Sequence, residues 1–114
     1  VNAFEMLIYM LAAHALCDYA LQGDWLSKAK NPKLDLVPGE AIWPLALGSH
    51  AIIQAVAVHL VTGSWILAGI EFVAHYLIDY SKCSGRFGYN IDQYLHIGCK
   101  LAYFAALLFF GPLS

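Results

Sequence analysis

The strongest constraint on this chain is the length and spacing of its apolar segments. Four predominantly apolar runs, residues 2–22, 43–61, 64–82 and 90–110, each approach the length of a membrane span. A helix rising ~1.5 Å per residue needs about 20 residues to cross a hydrocarbon core of ~30 Å. The period-two alternation of a membrane barrel strand is absent. Only 12% of the residues are charged, against about 25% in a soluble domain, too few to cover a water-facing surface. The expectation is an all-α, integral membrane four-helix bundle forming one domain over residues 1–114.

The connections give the bundle a direction. Thr62-Gly63-Ser64 is a tight turn, and residues 83–90 form a short Gly-containing connection. Residues 23–42 read as a long polar loop broken by Asn31-Pro32 and Pro38-Gly39, the kind of length that tends to carry function. Lys28, Lys30 and Lys33 lie in that loop, and Lys82 and Arg86 near the 83–90 connection. The opposite side holds no Lys or Arg. The positive-inside rule places both connections in the cytoplasm and both termini together on the periplasmic side of a bacterial inner membrane. Trp25, Trp43, Tyr80 and Tyr89 then fall near the inner interface. The first segment lacks a basic leader and carries Asp18, so it reads as a retained helix.

Each segment also bears one polar stripe at four-residue spacing, which puts its members on one helix face. The stripes are His14, Asp18 and Gln22; His50 and Gln54; Glu71, His75 and Asp79; and Asp92, His96 and Lys100. Random placement of the acids predicts roughly 0.7 acidic neighbours at the positions one turn from a histidine. The chain has four of them, Asp18, Glu71, Asp79 and Asp92, so the pairing is not accidental. With alternating helix direction, His14, Asp18, His50, His75, Asp79, Asp92 and His96 reach one level in the cytoplasmic half. An Asp at the centre of a spanning helix costs roughly 2.5–3.5 kcal/mol, so these groups should face inward and meet partners.

Two readings fit that requirement. Carboxylates and imidazoles can lock the bundle as a structural polar network or proton path. They are also an ordinary ligand set for zinc, and suit manganese or iron. Pairs one turn apart on facing helices resemble the way bundle cores assemble dinuclear centres. Under the metal reading the seven residues are ligands to a divalent metal, zinc before manganese or iron. Gln22 and Gln93 would orient carboxylates. Glu71 is either a general base or a partner for Lys100, and Lys28 and Lys82 are either phosphate contacts or topology signals. His59 and Glu5 look like ordinary interface residues, and Cys17 and Cys99 like small apolar packing groups. Three cysteines without CxxC spacing exclude a disulfide framework or a cysteine zinc ribbon. A net charge of −2 and a pI near 6.2 give no electrostatic footprint for nucleic acid.

The segments "HALCDYALQGDWLSKAK", "HYLIDYSK" and "DQYLHIGCK" resemble a family of small membrane proteins of phages and bacteria known as a domain of unknown function. The matching residues are His14, Asp18, Leu21, Gln22, Asp24, Trp25 and Lys28; His50; His75, Ile78, Asp79 and Lys82; and Asp92, Gln93 and His96. The paired His-x3-Asp motif is more distantly similar to inner-membrane metal-dependent hydrolases and to the zinc-dependent phospholipase C and nuclease superfamily. Those resemblances imply phosphoester hydrolysis by a membrane-embedded metal site at the cytoplasmic leaflet, and a phage-encoded or bacterial origin. The competing expectation is a non-enzymatic membrane accessory protein. In either case the expected partners are membrane lipids, with a homo-oligomer or larger membrane assembly as a further candidate.

Overall fold

The computed structural model describes residues 2–20 and 22–112; Leu21 of the opening motif lies outside them. Five α-helices account for most of the described chain: α1 (Ala3–Ala15), α2 (Asp24–Ala29), α3 (Trp43–Thr62), α4 (Trp65–Cys83) and α5 (Tyr89–Phe110). The described residues contain no strand. Asn2 caps α1, its side chain accepting from the Glu5 amide at 2.8 Å. A π-helical turn, Leu16–Ala20, prolongs α1. It changes how far each residue rotates about the axis, so Asp18 does not simply continue the α-helical stripe begun at His14.

The α3–α4 corner is fixed by local chemistry. Gly63 sits at φ 74°, a left-handed conformation that glycine reaches without a Cβ penalty, and its amide donates to the His59 carbonyl at 2.7 Å. Ser64 Oγ then accepts from the Leu67 amide at 3.0 Å and starts α4. The chain reverses within three residues, which makes α3 and α4 antiparallel neighbours.

Helix α1 packs on α3 and α5, and α4 packs on the same two, closing a four-membered ring; α2 adds to one end against α3. Four helices thus make up the ring, but the stretch read as a continuous loop over 23–42 is not all loop. It folds into α2, whose Ala29 and following Lys30 are buried. Six residues are too few to show a helical apolar period.

The interior has two zones. Met10, Val58, Leu67, Tyr103 and Leu107 form an apolar cluster toward the α3–α4 turn. Toward α2 the interior is polar and includes His14, His50, His75, Asp79, Asp92, His96 and Lys100, all buried. The outside has the reverse character, with Leu45, Leu60, Phe109 and Phe110 more than three-quarters exposed. Two helices, α3 and α5, are long and apolar enough to cross a membrane. Helix α4 has the length but carries Glu71, Asp79 and Lys82, and regular α1 has only 13 residues before its π turn.

Candidate metal centre

All seven residues expected as ligands converge. They fall into three overlapping groups whose potential ligand atoms lie within 4.8 Å of one another: His14, His75 and His96; Asp18, His50 and His75; and Asp79, Asp92 and His96. Every ring helix contributes. His75 belongs to two of the groups, and its ring centroid lies 4.2 Å from that of His96 and 4.9 Å from that of His50. Of the seven, Asp18 is the most open, its side chain 10% exposed.

Individual distances match ligands around a small ion. Bonds of ~2.0–2.1 Å in a tetrahedron place neighbouring ligand atoms about 3.3 Å apart. His96 Nε2 lies 3.3 Å from Asp92 Oδ1, whereas His50 Nε2 donates a hydrogen bond to Asp18 Oδ1 at 3.0 Å. The first of these contacts is not a hydrogen bond: among the described residues neither His96 Nε2 nor Asp92 Oδ1 has a hydrogen-bond partner, although both are buried. His14 Nδ1, both ring nitrogens of His75 and Glu71 Oε2 are likewise buried without partners among the described residues. Buried polar atoms are normally satisfied. Here several unsatisfied atoms occur together, each able to offer a lone pair, so the donor set fits a divalent cation.

Charge points the same way. Among the described residues the four carboxylates Asp18, Glu71, Asp79 and Asp92 share two buried ammonium groups, Lys30 and Lys100, so two carboxylates lack a lysine partner. Such an imbalance is costly where water is scarce, and one divalent ion removes it.

Residues around the cluster orient it. Gln93 Nε2 donates to Asp18 Oδ2 at 2.8 Å and to Asp92 Oδ2 at 3.0 Å, while its Oε1 lies 3.2 Å from His14 Nε2. One amide thereby ties together two carboxylates and an imidazole. If the cluster holds a divalent ion, Gln93→Leu is expected to weaken its binding about 10–100-fold, the usual cost of losing a group that orients ligands, in titrations against a competing chelator. Gln22 acts elsewhere: its Nε2 donates to the Asp18 carbonyl at 3.3 Å, and its Oε1 accepts from Lys30.

Glu71 forms the pairing with Lys100, at 2.8 Å from its Nζ. The same Oε1 accepts from Tyr103 OH at 2.9 Å, and Oε2 faces His75 Nδ1 at 3.2 Å. Glu71 thus lies against the Nδ1 edge of His75 without a hydrogen bond to it, on the side away from Nε2. The two lysines expected as phosphate contacts pair elsewhere. Lys28 is exposed and pairs with Asp24 at 3.1 Å, and Lys82 lies 6.0 Å from the Tyr89 ring centroid. The lysine that reaches the centre is Lys30, its Nζ 2.6 Å from Asp79 Oδ2. In sequence Lys30 is one of three lysines in a polar stretch, and only the folding of α2 singles it out.

A family model described as "Protein of unknown function (DUF3307)" matches residues 6–110, and the chain belongs to that family. No curated protein and no solved structure matches it.

Proposed function

We propose that this chain is a membrane-embedded four-helix protein whose polar centre is a metal-dependent hydrolase site for a phosphoester or lipid-linked phosphate. In this reading it lies in a bacterial inner membrane, with α2 and the site toward the cytoplasmic leaflet. The observation that carries the proposal is the convergence of seven His and Asp side chains, several with buried atoms that lack hydrogen-bond partners. The inverted distribution of polarity, apolar outside and charged inside, supports a lipid surrounding.

His14, Asp18, His50, His75, Asp79, Asp92 and His96 would hold the ion or ions. A bound divalent cation supplies Lewis acidity toward a phosphoryl oxygen. Gln93 fixes the two carboxylates that it bridges, and Glu71 sets the orientation of His75 instead of acting as a free base. A lipid-linked substrate is supported by an apolar groove of about 500 Å³ between α1 and α3. It is walled by Leu16, Cys17, Ile52, Val56 and Leu60 among others, and its Cys17 end adjoins Asp18. A hydrocarbon chain lying there would place its polar end beside the most open carboxylate of the cluster.

The test is turnover in detergent and in vesicles, with an aryl phosphodiester and a short-chain phospholipid as substrates. Hydrolysis should stop with chelator and return with zinc, manganese or iron. Protein that takes up no metal and cleaves neither would favour the second reading, a structural network or proton path in an accessory protein. One observation favours that alternative: two of the four carboxylates, Asp79 and Glu71, already have ammonium partners.

A further inference from the structure

Lys30 is the feature of the centre least explained by ligation alone. Its side chain is 2% exposed, yet it arrives from the end of α2, outside the four-helix ring. Its Nζ lies 2.6 Å from Asp79 Oδ2 and also donates to Gln22 Oε1. The same Asp79 oxygen is 3.8 Å from His50 Nε2 and 4.0 Å from His75 Nε2. The ammonium therefore shares the charge of a carboxylate that belongs to one of the candidate ligand groups.

We propose that Lys30 has two partners in turn: it competes with the divalent cation for Asp79, and once displaced it binds the oxyanion of the substrate. The inference rests on the metal reading above. Its physical basis is that one carboxylate cannot neutralise an ammonium and a dication at close range, because the two cations repel strongly in a medium of low dielectric. An ion at Asp79 loosens Lys30. The freed ammonium is still buried and needs an acceptor, and Gln22 Oε1 offers only a neutral one. A phosphoryl oxygen held at the cluster supplies the missing negative charge. Lys30 thus assumes a phosphate-binding role.

Exchange of this kind couples metal and anion. Each should strengthen binding of the other by the same factor, since coupling between sites is reciprocal. The experiment measures zinc affinity at buffered free-ion levels, with and without inorganic phosphate, for the wild type, Lys30→Met and Asp79→Asn. Phosphate should tighten zinc binding to the wild type about tenfold, within the usual range of coupling. Lys30→Met should bind zinc more tightly than the wild type in the absence of phosphate, and phosphate should then have little effect. Asp79→Asn should bind zinc more weakly.

The opposite signs are the decisive result. If Lys30 and Asp79 form only a structural pair, breaking it from either side weakens zinc binding alike, and the proposal fails. It fails too if phosphate tightens zinc binding equally in the wild type and Lys30→Met. Should Lys30→Met not fold, Lys30→Gln offers the same comparison with the amide in place of the charge. A wild type that binds no zinc at all overturns the metal reading itself, an outcome distinct from zinc binding without coupling.

Discussion

If the His/Asp cluster holds a divalent ion, His75→Ala is expected to abolish its binding. Wild-type protein purified in mild detergent without chelators should carry about one to two equivalents of zinc, manganese or iron, as one or two ions fit seven ligands. The variant should carry almost none, with affinity lowered ~100-fold or more, beyond the 10–100-fold typical of a group that only orients a ligand. His75 is the natural choice because it belongs to two of the three ligand groups and touches the rings of His14, His50 and His96. His59→Ala is the matched control. His59 stacks on Trp65 at the α3–α4 corner, with ring centroids 3.6 Å apart, and its loss should leave the metal content unchanged. Equal metal in wild type and His75→Ala, or a wild type that stays metal-free after incubation with excess ions, would turn the cluster into a hydrogen-bonded network.

The polar stripes carried most of this centre in plain view. A four-residue period survives translation into structure because it depends only on helix geometry. Given four long helices, inward-facing stripes at one depth must meet. That is why His14, Asp18, His50, His75, Asp79, Asp92 and His96 could be named together. Gln93 was legible for the same reason, as the neighbour of Asp92 on a helix whose inner face was known.

Lys30 was not legible, and the reason is also physical. Nothing in the local pattern separates it from Lys28 and Lys33, because a six-residue helix has too little length to reveal which face it buries. Its partner Asp79 is 49 residues away, and such a pairing is decided by how α2 docks on the ring. The π turn at Leu16–Ala20 was hidden likewise, since its residues suit an ordinary helix and only packing selects the wider winding. Glu71 stood between two roles because the sequence fixes its face but not the reach of the Lys100 side chain. The 2.8 Å contact shows the pair with Lys100.

That pair should be the most sensitive structural element of the bundle. Lys100→Met is expected to lower stability by about 3–5 kcal/mol, the usual cost of removing one partner from a buried ion pair. Both side chains are 1% exposed, so the Glu71 carboxylate left behind has no water to turn to. Tyr103 OH and His75 remain its close polar contacts among the described residues, and neither replaces the ammonium that Lys100 supplied. The measurement is denaturant or thermal unfolding in a fixed detergent, with Glu71→Gln/Lys100→Met beside the single variant. Glutamine keeps the shape and the acceptor for Tyr103 but removes the charge, so the double variant should regain most of the loss. If the double variant is as unstable as Lys100→Met, lost packing of the lysine stem is the cause and not the stranded charge. Tyr103 makes the comparison informative for the whole fold, because it belongs to the apolar cluster and also donates to Glu71. Through this residue the dry end of the bundle holds Glu71 in place, Glu71 sets His75, and His75 joins two of the ligand groups.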